Sequence, residues 1–194
     1  MLYKKKIKKS GLFVFAHRGA SQLFAENSIQ SVQKAIDLGC DGIEVDIQTT
    51  KDNKIILFHD DFIMFNHKKF WISNITRSEV SSITRKKNIP DPPGFGDLLK
   101  IILQEDSTVF NLEIKSKRIN NHQILSTIEK MIPDNVLNNR CIISSFNFFV
   151  LLQHKFILKL SGPIAIIIDA HHTNSWLKRS FFKLLTLLLK PQFL

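Results

Sequence analysis

The chain has 194 residues, 44% of them hydrophobic and 23% charged, a balance that excludes an intrinsically disordered protein. This length predicts one domain with a substantial hydrophobic core. Part of the formal net charge of +10 comes from the ends, since residues 4–9 hold five of the 27 basic residues. Such runs can attract anionic membranes, nucleic acids or phosphate-bearing substrates, although solvated lysine-rich ends are commoner.

Hydrophobic periodicity predicts strands that alternate with helices, after a basic lead-in at residues 1–10 and within one domain over residues 11–194. Strands are predicted at 12–16 (buried on both faces), 43–47, 55–58, 109–115, 140–144 and 163–169. Helices are predicted at 29–38 (capped by Asn27 or Ser28), 77–83, 97–104, 121–131, 146–155 and 174–189, and a Pro/Gly loop at 89–96. Apolar runs too short to span a bilayer, and two widely spaced cysteines, predict a cytoplasmic protein without a transmembrane segment.

The alternation of strands and helices predicts an α/β fold with a parallel sheet. A TIM-type barrel fits because polar residues follow several strands, and the carboxyl ends of barrel strands converge on one mouth. A nucleotide-binding open sheet would need a glycine-rich first turn, which HRGAS at 17–21 does not supply. The link between residues 48 and 54 is too short for a parallel crossover. A hairpin with paired residue numbers that sum to 103 would place Glu44 opposite His59, and both strand directions stay open.

Three carboxylates stand on polar faces of predicted strands. Glu44 and Asp46 leave the same face of one strand about 6–7 Å apart, and Glu113 lies on another strand. Oxygen ligands of this kind suit Ca²⁺ or Mg²⁺ rather than zinc. Each carboxylate alone could equally meet a lysine at the surface, but the three together favour a metal site.

Basic and titratable residues follow the same strands. His17 and His59 lie at strand ends and could serve as acid and base near neutral pH. Arg18 and Lys115 could hold a phosphate, the first as a fork and the second as a point charge. The remaining histidines are predicted to lie at the surface: His67, His122, His154, His171 and His172.

Six short motifs occur in order along the chain: HRGA at 17–20, EN at 26–27, GCDGIEVDIQTTKD at 39–52, FHD at 58–60, LEIK at 112–115 and SSF at 144–146. With this spacing the chain resembles the glycerophosphodiester phosphodiesterase family over roughly residues 12–170. The resemblance implies a TIM-type barrel that uses one divalent cation, Mg²⁺ or Ca²⁺, to hydrolyse glycerophosphodiesters to sn-glycerol 3-phosphate and an alcohol.

The resemblance also implies roles for matching residues. These are His17 and His59 as the acid/base pair, Arg18 and Lys115 as phosphate contacts, Glu44, Asp46 and Glu113 as metal ligands, and Glu26 with Asn27 as residues that order the site. The implied mechanism is attack of the neighbouring glycerol hydroxyl on phosphorus, followed by opening of a cyclic phosphate by water. Because family members continue beyond the length of this chain, we expect an incomplete barrel that lacks about two strand–helix units.

Three other functions compete with this interpretation. A related phospholipase would act on lipid head groups, which the basic ends favour only weakly through contact with a membrane surface. A gene fragment or decayed paralogue would fold poorly or bind without turnover. A nucleic-acid binder ranks last, because no recognition motif or stacking platform accompanies the basic runs.

Overall fold

The computed structural model describes residues 13–168 and Leu189. The strands are β1 (Phe15–His17), β2 (Gly42–Thr49), β3 (Ile55–Leu57), β4 (Phe62–Phe65), β5 (Lys68–Trp71), β6 (Val109–Ile114), β7 (Cys141–Ser145) and β8 (Ile164–Ile166). Five of them form a parallel sheet in the order β1-β2-β6-β7-β8, and β3 joins β2 antiparallel. Among the described residues β1 and β8 are not paired with each other, so the strands form the expected incomplete barrel.

Helices connect the parallel strands. They are α1 (Ile29–Asp37), α2 (Arg77–Lys86), α3 (Phe95–Gln104), α4 (His122–Met131), α5 (Asp134–Arg140) and α6 (Phe148–Leu152). Within the part of the chain that the structure describes, no helix combines the length and the hydropathy that a membrane crossing requires.

The strand β2 separates the core from the polar face of the sheet. Its odd-numbered side chains Ile43, Val45 and Ile47 are fully buried in the hydrophobic core. Successive side chains of a strand point to opposite faces, so Glu44 and Asp46 lie together on the other face. The core thereby fixes which face of the sheet carries the acidic residues.

The link between β2 and β3 is a hairpin, as one of the two open arrangements predicted. Its paired residues sum to 104 (Ile47 with Leu57), so the predicted sum of 103, which would place His59 opposite Glu44, is wrong. The loop between Thr50 and Lys54 holds three residues and ends in Asn53 with φ +60°. A turn followed by a left-handed residue is a common three-residue hairpin loop, and it shifts the register by one position.

Two elements were not predicted. A second hairpin joins β4 to β5 through Asn66 and His67, both with positive φ, as a two-residue hairpin turn requires. Asparagine followed by histidine is a weaker turn signal than asparagine followed by glycine, so the sequence did not reveal it. The short α5 follows Pro133 and also has little periodicity.

Other predictions need correction or fall outside the described residues. The first strand is not buried on both faces, because Phe15 is 40% exposed on β1, the first strand in the order of the described sheet. His154 was assigned to the surface but is 2% exposed. The lead-in at 1–10, His171, His172 and, apart from Leu189, the predicted helix at 174–189 lie outside the described residues.

Candidate active site

The turn after β1 is held by the first residues of α1. Arg18 and Gly19 both have positive φ, at +57° and +76°. A Cβ atom at Gly19 would lie 2.5 Å from Ser31 Oγ, so the close approach requires glycine. Ser31 Oγ donates a hydrogen bond to the Arg18 carbonyl at 3.0 Å. The turn therefore presents His17 and Arg18 at the carboxyl end of β1 in a fixed conformation.

Glu26 and Asn27 connect this turn to β2. Asn27 is buried, donates from Nδ2 to Asp46 Oδ2 at 2.9 Å and accepts from the Asp46 amide at 2.9 Å. Arg18 Nη1 donates to Glu26 Oε2 at 2.8 Å, and Arg18 Nε lies 3.2 Å from Asp46 Oδ2. These contacts orient both the guanidinium and the Asp46 carboxylate.

Three buried carboxylates meet on the polar face of the sheet. In the parallel register Asp46 is the partner of Glu113, and Glu44 lies two residues before Asp46 on the same face. One oxygen from each of Glu44, Asp46 and Glu113 can be chosen so that all three atoms lie within 4.8 Å of one another. The three residues are 7%, 0% and 6% exposed, so water screens their mutual repulsion poorly.

Two cations offset part of this negative charge. Lys115 Nζ lies 3.2 Å from Asp46 Oδ1 and 2.5 Å from Glu113 Oε1. Burial would lower the pKa of Lys115, but the hydrogen bonds and charges of Glu113 and Asp46 outweigh it and raise that pKa. Burial would likewise lower the pKa of Arg18. The hydrogen bond to Glu26 and the charges of Asp46, Glu26 and Glu44 outweigh burial and raise that pKa. Both side chains are therefore cationic at neutral pH.

Glu44 is the least compensated member of the cluster. Burial, and then the charge of Asp46, raise its pKa to about 8 against the opposing hydrogen bond from the Arg18 amide. Its Oε1 atom is buried and has no hydrogen-bond partner among the described residues. A divalent cation could coordinate this unpaired oxygen together with oxygens of the two neighbouring carboxylates. The donor set, all oxygen, fits Mg²⁺ or Ca²⁺.

The two histidines border two separate clefts. His17 Nε2 lies 3.7 Å from Glu44 Oε2 and lines a cleft of about 470 Å³. His59 lines another cleft of about 430 Å³ together with Lys115. Its Nδ1 atom lies 2.8 Å from Asp60 Oδ1. Glu44 of the cluster lines the His17 cleft, whereas the His59 cleft contains Lys115, whose ammonium pairs with Asp46 and Glu113.

Several residues of this region were not assigned a role from the sequence. Gln48 Nε2 donates to the carbonyls of Phe58 and Asp60 at 2.7 and 2.9 Å, which clamps the backbone on both sides of His59. Asn111 and Ser144 line the His17 cleft, and Asn111 Oδ1 and Ser144 Oγ are buried without a hydrogen-bond partner among the described residues. Asn111 precedes Glu113 by two positions, and the period of the strand predicts the same face for both, but it indicates no role for the amide.

The fold and the site define an α/β protein of the incomplete-barrel class with an acidic cluster suited to a divalent cation. The model of the "Glycerophosphoryl diester phosphodiesterase family" matches residues 17–181. The chain belongs to this family. The match includes every residue that the sequence nominated for the site.

Individual relatives agree with this assignment. A glycerophosphodiester phosphodiesterase of Caldanaerobacter subterraneus subsp. tengcongensis is 31% identical over 149 residues, which are 73% of this chain and 61% of that protein. The aligned part of the chain therefore spans about three fifths of that relative's length.

Solved structures share the fold. The glycerophosphodiester phosphodiesterase of Thermotoga maritima has a TM-score of 0.67 at 24% identity, covering 93% of this chain and 71% of that one. A phosphodiesterase of Oleispira antarctica, solved in complex with the product sn-glycerol-3-phosphate, has a TM-score of 0.66 at 21% identity, covering 88% and 71%.

Proposed function

We propose that the protein hydrolyses glycerophosphodiesters to sn-glycerol 3-phosphate and an alcohol. The observation that carries the proposal is the meeting of three buried carboxylates with two cationic side chains, while His17 and His59 line clefts beside Glu44 and Lys115. Membership of the family, and the product bound to the Oleispira antarctica protein, support the same substrate class.

In the proposed reaction one histidine accepts the proton of the glycerol hydroxyl next to the ester as that oxygen attacks phosphorus. The other histidine donates a proton to the departing alcohol oxygen, and a cyclic phosphate forms. Water then opens the cyclic phosphate with the roles of His17 and His59 reversed, which returns both imidazoles to their starting states.

The charged residues bind and orient the phosphoryl group. Arg18 and Lys115 are held by carboxylates and can place their N–H groups against phosphoryl oxygens. Glu44, Asp46 and Glu113 would hold one divalent cation, Mg²⁺ or Ca²⁺, which when bound supplies positive charge that stabilises the developing charge on phosphoryl oxygen. Glu26 and Asn27 keep Arg18 and Asp46 in place. We further propose a cytoplasmic location, supported by the two free cysteines Cys40 and Cys141.

The test is release of sn-glycerol 3-phosphate from glycerophosphocholine by the purified chain, with Mg²⁺, with Ca²⁺ or with chelator. Glu44→Gln should abolish release, whereas Glu129→Gln, the same change at an exposed position of α4, should not. Activity that survives chelator or Glu44→Gln would refute the metal assignment.

A folded chain without turnover would favour the decayed paralogue. Release of diacylglycerol or phosphatidate from intact phospholipid, without action on glycerophosphocholine, would favour the phospholipase. A circular dichroism spectrum and an unfolding curve recorded on the same sample establish that the chain is folded.

A further inference from the structure

The hairpin of β4 and β5 has apolar side chains on both faces. The inward side chains Ile63, Phe65 and Phe70 pack with Ile72 and Val80 in a second core cluster. Because cross-strand partners share a face, the pairs Phe62 with Trp71 and Met64 with Lys69 form the outward face.

This outward face is open to solvent. Met64 is 43% exposed and Trp71 is 40% exposed, while the rings of Phe62 and Trp71 lie 5.1 Å apart edge to face. Lys69 Nζ stands 4.5 Å from the centroid of Phe62 and 6.0 Å from that of Trp71. The ammonium of Lys69 therefore lies over both rings as a cation–π contact, and tryptophan beside lysine is a combination that occurs at membrane interfaces.

Basic residues from three segments surround the outward face. Residues 62–71 contain Lys68 and Lys69 but no acid. On one side Lys87, at the end of α2, donates to the Met64 carbonyl at 2.6 Å, after the exposed Arg85 and Lys86.

On the other side Lys117 Nζ lies 5.9 Å from the Trp71 ring and pairs with Asp61 at 2.5 Å. Arg118 donates to the Ser73 carbonyl at 3.3 Å. Basic residues thus outnumber acidic residues around an apolar patch. The resulting net positive charge is complementary to an anionic surface.

We propose that the outward face of the β4–β5 hairpin, formed by Phe62, Met64, Lys69 and Trp71, docks on an anionic lipid bilayer. Tryptophan, phenylalanine and methionine would enter the headgroup region, and the surrounding lysines would meet the anionic lipid headgroups. Phe62 and Lys117 also line the His59 cleft, so docking would set the mouth of that cleft against the bilayer. The proposal concerns binding alone and does not depend on turnover.

The probe is a set of vesicles made of phosphatidylcholine alone or of phosphatidylcholine mixed with phosphatidylserine. In the full chain carrying Trp176→Phe, the remaining Trp71 reports on the hairpin. We expect its fluorescence to shift to the blue with the mixed vesicles at low salt and to return as salt is raised, because added ions screen the attraction. No shift with mixed vesicles, or an equal shift with phosphatidylcholine alone, would overturn the proposal.

Co-sedimentation separates the hairpin from the basic ends of the chain. Lys68→Gln with Lys69→Gln should weaken binding to mixed vesicles roughly 30-fold, about fivefold for each lysine. Lys100→Gln with Lys130→Gln removes the same charge from exposed positions of α3 and α4 and should leave binding nearly unchanged.

Met64→Ser with Trp71→Ser keeps every charge, and it should also weaken binding by at least tenfold through lost apolar contact. Equal binding by this variant and the wild type would overturn the proposal. So would equal losses in the Lys68/Lys69 variant and the Lys100/Lys130 control, because binding would then follow net charge alone. Unchanged urea unfolding curves for each variant ensure that a loss reflects the surface rather than the fold.

Discussion

Replacing Glu44 by glutamine should stabilise the protein in the absence of divalent cations. Glu44 is 7% exposed, beside Asp46 and Glu113, and its Oε1 atom has no hydrogen-bond partner among the described residues. The wild type must either carry a third buried negative charge or hold a proton there. Glutamine has nearly the same shape and carries no charge, so it removes this conflict while it removes one of the proposed metal ligands.

The size of the effect follows from the pKa of Glu44, which burial and Asp46 raise to about 8 from an ordinary 4.5. A raised folded pKa means that the folded state binds the proton more tightly, so stability is lost as pH rises from about 4.5 towards 8. At pH 7 this loss is ~3 kcal/mol, at about 1.4 kcal/mol for each pH unit above the ordinary value. Glu44→Gln should therefore match the wild type near pH 4.5 and exceed it by ~3 kcal/mol at pH 7.

Urea unfolding in chelator at several pH values, monitored by circular dichroism, measures this difference. Taking wild type minus variant at each pH cancels the titration of groups that do not interact with Glu44. Adding Mg²⁺ or Ca²⁺ at about 1,000 times its dissociation constant should reverse the order at pH 7, because the cation stabilises only the wild type, by about 4.1 kcal/mol. A difference that does not change with pH, or a variant that gains equal stability from the cation, would refute the reasoning.

Other substitutions test separate contacts. His17→Asn and His59→Asn should each lower turnover by about 10²–10⁴-fold, with unchanged unfolding midpoints because both side chains are solvent-accessible; a loss of stability in step with activity would contradict this. Burial would raise the pKa of Asp91. The hydrogen bonds and charge of Arg77, together with the hydroxyls of α2, outweigh burial and lower that pKa. Asp91→Asn should therefore cost about 1 kcal/mol at pH 7 and progressively less as pH falls below 4, measured by urea unfolding; an equal cost at low pH would refute the ion pair. Thr76→Ala removes a capping box at α2 and should cost about 1 kcal/mol of unfolding free energy without changing turnover.

The periodic part of the fold could be predicted from the sequence, and the turns could not. Alternation along Gly42–Thr49 placed Glu44 and Asp46 on one face, and the family motifs then agreed with that placement. The register of the following hairpin was wrong by one residue, because it depends on Asn53 adopting positive φ, for which asparagine is only one of several suitable residues. A slip of one residue turns every side chain of a strand to the other face, so this small error mattered for His59.

The contacts that tune the site were also hidden from the sequence. Arg18 was proposed as a phosphate contact, yet its backbone amide also donates to Glu44 Oε2 at 3.0 Å, which no side-chain pattern can indicate. Gln48 holds the backbone around His59 from a neighbouring strand, and its partners are carbonyl groups that any residue would supply. Such contacts depend on tertiary structure and cannot be recognised in the sequence. The carboxylates of the acidic cluster could be recognised, because their chemistry follows from residue identity.

The spacing of the acidic cluster follows from hydrogen-bonded register between neighbouring strands. β1, β2 and β6 are adjacent, with His17 opposite Glu44 and Asp46 opposite Glu113. Adjacent strands lie about 4.8 Å apart, so these pairs meet without any contribution from the far edge of the sheet. The opposite face of β2 buries Ile43, Val45 and Ile47, each contributing about 1.5–3 kcal/mol. The same strand therefore both gathers the repelling carboxylates and supplies the apolar burial that offsets their repulsion.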